Sequence, residues 1–218
     1  MADEQALDAY LAEYAKRPDA FDVDHTVQIT SYGGTGTTAL YRTFIDGGLS
    51  IPKGPGQWPF KHRRIAPEAS EVPDGFRVIY LIGDPRDAVV SLFRREYQVG
   101  HYQALHEQLL DPSMAESMSS IEAFTAKGED HFALADHFNG WRNHPGGYPV
   151  MILRYEYVVS VWREICEFVD LDVDLPPPTW RKRRSDWTTL ESPTRERLDG
   201  MYSALAKRVE ALEPVQIV

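Results

Sequence analysis

The chain has 218 residues, 43% of them hydrophobic and 11% aromatic, enough to bury a real core and, at roughly 150 residues per domain, the size of a single domain spanning 1–218. Its 33 acidic against 23 basic residues give a formal net charge of −10, which argues against broad binding to nucleic acid or to anionic membranes. No apolar run approaches the about 20 residues a membrane span needs, and the acidic start Met1-Ala2-Asp3-Glu4 lacks the basic-then-apolar order of a signal peptide. Cys166 is the only cysteine, so no internal disulfide forms and a cytoplasmic location is expected.

In chain order, Leu7, Tyr10, Leu11 and Tyr14 recur at helical spacing and predict an amphipathic N-terminal helix within residues 1–20, ended by Pro18. Val27 to Ser31 reads as a short strand that runs into Tyr32-Gly33-Gly34-Thr35-Gly36-Thr37-Thr38. A helix carrying Leu40, Phe44 and Ile45 follows and stops at Gly47-Gly48. Residues 47–56 are crowded with Gly and Pro and read as a loop, with a short strand at Trp58 to His62. Phe76 to Ile82 is the clearest strand; apolar on both faces toward its end, it belongs in the middle of a sheet covered on both sides. Asp84-Pro85 has the form of a helix N-cap followed by proline at the first helical position, and Ala88, Val89, Leu92 and Phe93 form the buried stripe of that helix. Helical segments fill roughly 101–142, with Leu134, Phe138 and Trp141 on one face. Within that stretch His137 reads as packing; in residues 97–118, Tyr97, Tyr102, Leu105, Leu109 and Leu110 read as core, with an acceptor lid or a partner surface as the alternatives. Val150 to Leu153 is a further strand, Val158 to Val169 a helix, and a last helix runs from about 194 to 212 beyond Pro176-Pro177-Pro178. Strands alternating with helices imply an α/β fold with an open, mostly parallel sheet flanked by helices. In such sheets ligands sit at the carboxyl ends of the strands, where both glycine-bearing turns, 32–38 and 82–87, belong.

The first of these turns is built for an anion. Gly33, Gly34 and Gly36 let successive amides turn inward. A helix beginning near Thr37 adds its free amides and positive dipole end, and Thr35, Thr37 and Thr38 add hydroxyl donors. Gly36 is followed directly by Thr37, so the Gly-Lys-[Ser/Thr] of an ordinary ATPase or GTPase loop is absent. The basic residues fall in dense clusters, Lys61-His62-Arg63-Arg64, Arg94-Arg95 and Arg181-Lys182-Arg183-Arg184. Were they to converge on one place, they would suit a small polyanion. No His/Cys/Asp/Glu cluster has metal-ligand spacing, so no metal is expected.

Four segments, in order, resemble the sulfotransferase family that uses 3′-phosphoadenosine 5′-phosphosulfate. Ser31-Tyr-Gly-Gly-Thr-Gly-Thr-Thr38 is similar to its 5′-phosphosulfate loop, and Arg77 to Ser91 to its 3′-phosphate strand–turn–helix. Leu153-Arg-Tyr-Glu156 resembles its Tyr-Glu-Asp strand end, and Arg181-Lys182 with Asp186-Trp187 its late Arg-Lys-Gly…Gly-Asp-Trp segment. The resemblance covers roughly residues 27–205 and implies a P-loop NTPase-like sulfotransferase fold. It also implies transfer of a sulfuryl group from that nucleotide donor to a hydroxyl or amine of a small-molecule or macromolecular acceptor. Under it, Gly33, Gly34, Thr35, Gly36, Thr37 and Thr38 hold the 5′-phosphate; Ser91, Arg181 and Lys182, with Arg86 at hand, serve the 3′-phosphate. His62, in Phe60-Lys61-His62, takes the place of the family's catalytic base, with Lys61 beside it to stabilise charge on the bridging oxygen. The alternative for Arg86 is an ion pair with a nearby carboxylate, and for His62 an exposed basic strand end.

The pattern also departs from the family. Its loop lysine falls on Gly34, the first arginine of the 3′-phosphate motif on Gly83, and the aromatic after the Thr-Thr pair on Ala39. Each lost charge-assisted contact is worth roughly 1.5–3 kcal/mol. Two further readings therefore stand beside the enzyme: a catalytically degenerate nucleotide- or anion-binding protein of the same fold, and a small P-loop kinase using ATP with Mg²⁺.

Overall fold

The computed structural model describes residues 26–51, 62–106, 110–180 and 184–218. The N-terminal helix expected within 1–20, the strand expected from Trp58, and Lys61, Leu109, Arg181, Lys182 and Arg183 lie outside these residues.

Among the described residues, four strands form one sheet in the order β1 (Val27–Thr30), β2 (Arg77–Ile82), β3 (Val150–Arg154) and β4 (Val215–Ile217). The first three are parallel, with Thr30 beside Tyr80 and Ile82 beside Arg154, so their carboxyl ends share one edge. β4 closes the far side antiparallel to β3, pairing Ile217 with Met151. The sequence reading did not include β4: three residues after a long helix carry too short a pattern to stand out from a tail.

β2 is buried along Val78–Ile82, and the alternation of its side chains divides the core in two. Ile79 and Leu81, with Val27, Ile29, Met151 and Leu153, pack against α1 (Thr37–Asp46) and against α6 (Trp162–Phe168). Val78, Tyr80 and Ile82 face the other way. There they meet α2 (Pro85–Arg94), α3 (Gln98–His106), α4 (Ile121–Lys127), α5 (Leu134–Arg142) and α7 (Ser192–Glu210). Each fully buried Leu, Ile or Phe contributes roughly 1.5–3 kcal/mol of transfer free energy, so burial on both faces holds the sheet between two helical layers. The expectation of a mostly parallel open sheet flanked by helices is met.

The two turns that matter follow β1 and β2. Asp84 caps α2, accepting from the Arg86 amide at 2.8 Å, and Pro85 takes the first helical position, as the Asp-Pro pair predicts. α1 begins without a side-chain cap; its N-cap is Gly36 in the left-handed region at φ +85°. Its N-terminal amides thus face the turn with no capping side chain over them.

Candidate functional site

The segment from Ser31 to Gly36 leaves β1 and folds back at once into α1. Gly33, Gly34 and Gly36 have φ of +94°, +67° and +85°, conformations that any other residue adopts only under strain. Close packing adds a second reason for glycine. A Cβ on Gly34 would stand 2.9 Å from the Ala88 Cα of α2, and one on Gly33 2.3 Å from Cε1 of His101. The Tyr32 hydroxyl donates to the Gly83 carbonyl, tying the first turn to the second.

Beside this turn lies a cavity of about 830 Å³. Gly33, Gly34, Gly36, Thr37 and Thr38 form its floor, with Arg42 one helical turn beyond Thr38. Ser91, Arg94 and Arg95 enter from the end of α2, and Tyr155 from the end of β3. Residues 178–180 and 184–185 form its roof, bringing Trp180 and Arg184 to the lining. In a chain with net charge −10, the described lining holds four arginines and two histidines and no carboxylate. The Trp180 indole packs at a tilt against Tyr155 with centroids 5.0 Å apart, and its buried N–H has no hydrogen-bond partner among the described residues. Arginines from three separate elements, a helix N-terminus and an orphaned donor all favour negative charge.

His62 lines the same cavity. It is buried rather than at an exposed strand end, with Nδ1 2.9 Å from the Ser31 carbonyl. A carbonyl only accepts, so Nδ1 carries the proton, and in the neutral ring the lone pair is on Nε2. His101, from α3, packs edge to face against His62 with ring centroids 4.5 Å apart and bonds the Tyr32 carbonyl through Nε2 at 2.7 Å. His137 lies deeper, fully buried and stacked on Tyr80, and burial lowers its pKa to about 3.

The structure therefore brings Gly33, Gly34, Gly36, Thr37, Thr38, Ser91 and His62 to one cavity and separates two others from it. The Thr35 hydroxyl turns to the neighbouring strand and donates to the Leu81 carbonyl at 3.3 Å, so it is not a hydroxyl donor to the cavity. Arg86 is not part of the lining either. It pairs with Asp84 at 2.6 Å and Asp199 at 2.5 Å and stacks on Trp187 at 4.1 Å, which spends its donors within the protein. The flanking carboxylates raise its pKa against the opposing effect of burial. The amide of Trp187 donates to Asp87, and Arg94 donates to the Ser185 hydroxyl, so the roof segment is stitched to both ends of α2.

Of the three basic clusters, Arg94-Arg95 and Arg184 converge on the cavity, while Arg63 and Arg64 do not line it. Sequence reasoning did not single out Arg42, His101, Tyr155, Trp180 or Arg184 individually. Arg42 had a signal, the i, i+4 spacing from Thr38 on the polar side of a helix whose Leu40 and Phe44 point to the core. His101 had none, because its role depends on α3 folding back over the first turn. Tyr97 was expected in the core, yet it is 47% exposed at the cavity lining, with Arg95 over its ring at 4.5 Å.

No family model matches the chain, and no curated protein matches it. Among solved structures, the crystal structure of mouse sulfotransferase SULT7A1 complexed with PAP matches it with a TM-score of 0.55. The identity is 16%, and the match covers 91% of this chain and 92% of that one. The chain has the fold of a sulfotransferase.

Proposed function

We propose that the protein is a sulfotransferase that moves a sulfuryl group from 3′-phosphoadenosine 5′-phosphosulfate to an acceptor hydroxyl or amine. One observation carries the reading. The cavity at the carboxyl ends of the parallel strands, with no carboxylate among its described lining residues, joins a glycine turn, a helix N-terminus, four arginines and a buried histidine. Each of the donor's anionic groups has a counterpart there. The Gly33–Thr38 turn, through its amides and the Thr37 and Thr38 hydroxyls, is assigned the 5′-phosphate. Ser91 with Arg94 and Arg184 is assigned the 3′-phosphate, and Arg181 and Lys182, which precede Arg184 in the sequence, are proposed to assist.

His62 is assigned the base. Its Nε2 takes the acceptor's proton as the acceptor oxygen or nitrogen bonds to sulfur and the bond from sulfur to the 5′-phosphate oxygen breaks. The charge left on that phosphate falls at the start of α1, where the amides and dipole stabilise it. Lys61, next in sequence to His62, is proposed to assist there. Gly34 leaves no room for a lysine in the loop, since even a Cβ would press on Ala88, so Arg42 is the described cation nearest in the chain to take that part. The same feature favours a second reading, a protein that binds the nucleotide without transferring its sulfuryl group.

Calorimetric binding of 3′-phosphoadenosine 5′-phosphate, with ADP and with ATP plus Mg²⁺ as controls, tests the site. Micromolar binding that requires the 3′-phosphate supports it; equal binding of ADP would leave only the fold in common. Loss of transfer in His62→Ala with nucleotide affinity retained identifies the base, and transfer by no acceptor in wild type points to the binding protein. Among the described residues no helix is long and apolar enough to cross a membrane and no group of three metal-ligating side chains occurs. A cytoplasmic location, argued from the single cysteine, belongs to the same proposal.

A further inference from the structure

Consecutive carbonyls of the first turn are each held by a histidine ring. Ser31 O accepts from His62 Nδ1 at 2.9 Å, and Tyr32 O from His101 Nε2 at 2.7 Å. The second ring arrives from 69 residues further along the chain, fully buried, and the turn is moulded on it: Gly33 has no Cβ where one would overlap the imidazole. A phenylalanine would fill this space about as well. What histidine adds is an N–H aimed at one backbone carbonyl.

We propose that His101 is a positioning residue that sets the phosphate turn and orients His62. The proposal rests on the reading of the cavity as a sulfuryl-donor site. Because the peptide unit is planar, holding the Tyr32 carbonyl also fixes the Gly33 amide, which points the opposite way and donates to the Ser31 hydroxyl at 3.0 Å. With the entry to the turn pinned, the glycines that follow can keep their left-handed conformations and turn their amides to the cavity. The edge-to-face contact, at 4.5 Å between centroids, packs the His62 ring against His101, and a phenylalanine would keep it. The same pinned backbone keeps the Ser31 carbonyl in line with His62 Nδ1, so His62 is held as the tautomer with its proton on Nδ1 and its lone pair on Nε2, the form a base requires. His101 does this without exchanging a proton with any substrate.

The experiment uses the full chain as wild type, His101→Phe and His101→Gln. The Phe variant keeps an aromatic ring but has no donor; the Gln variant keeps an N–H able to reach the Tyr32 carbonyl. Two readouts are taken: calorimetric affinity for 3′-phosphoadenosine 5′-phosphate, and long-range proton–nitrogen NMR of the histidine rings in the unliganded protein. Wild type should show His62 protonated at Nδ1 and His101 at Nε2. His101→Phe should lose roughly tenfold in affinity and show His62 as a mixture of tautomers, whereas His101→Gln should stay within roughly threefold of wild type, the size of one neutral hydrogen bond lost or kept. Wild-type affinity together with an unmixed His62 in His101→Phe overturns the proposal. So does a wild-type spectrum with the His101 proton on Nδ1 alone, which decides the matter even if the Phe variant fails to fold. Absence of nucleotide binding by wild type defeats the sulfuryl-donor reading instead, and the unliganded spectra still judge His101.

Discussion

Acidification should unfold this protein through His137, and the size of the effect follows from its surroundings. The ring is fully buried, stacked on Tyr80 and edge-on to Tyr32, and lies 3.0 Å from the Tyr80 hydroxyl through Nδ1. Burial first, and then the neighbouring His101, lower its pKa from 6.5 to about 3. The unfolded chain takes up a proton near pH 6.5 that the folded chain refuses until about pH 3, so the stability gained by keeping His137 neutral is complete above 6.5 and is lost as pH falls toward 3. Between pH 7 and pH 5 the loss amounts to about 2 kcal/mol. His137→Phe removes the titration and keeps the stacked ring, but leaves the Tyr80 hydroxyl unsatisfied at a cost of about 1–3 kcal/mol at pH 7. Urea unfolding followed by tryptophan fluorescence at pH 7, 6 and 5 measures both chains. The wild-type advantage at pH 7 should shrink by about 2 kcal/mol by pH 5, whatever other groups titrate in common. A constant difference across the three pH values would refute the reasoning.

Gly33→Ala should lower stability by at least about 1–3 kcal/mol, because it forces a side chain both into the left-handed region and into the His101 ring. Nucleotide affinity should fall with it, measured by thermal melting and calorimetry on the same samples. Arg94→Ala should weaken 3′-phosphoadenosine 5′-phosphate by roughly tenfold or more and leave ADP unchanged, with a shallower dependence on salt; equal weakening of both would move the 3′-phosphate contact elsewhere. Arg86→Lys should do the reverse: about 1 kcal/mol less stable, since lysine cannot reproduce the fork to Asp84 and Asp199 or the stack on Trp187, yet within roughly threefold of wild-type affinity. A large affinity loss in that variant would return Arg86 to the binding site.

The three parallel strands, the main helices and the two turns were legible because their signals are local. Val78 to Ile82 is apolar on both faces, which only a central strand tolerates, and Asp84-Pro85 starts a helix wherever it stands. Three glycines within four residues, followed by two threonines, announce an anion-binding turn before any tertiary contact is known. The partition of the charged residues was not legible. Arg86, Arg94 and Arg184 are alike in sequence, and their roles separate only when α7 brings Asp199 to the first while the roof segment carries the third over the cavity. Thr35 and Thr37 differ by two positions, yet one faces β2 and the other the cavity, because the left-handed Gly36 reverses the chain between them. The sequence by itself determined the parallel strands and the glycine turn, since these depend on propensity and spacing. Tertiary structure alone decided which side chains meet there: His101 reaches the turn, and Arg86 is withheld from it, through contacts spanning 69 and 113 residues that no local pattern encodes.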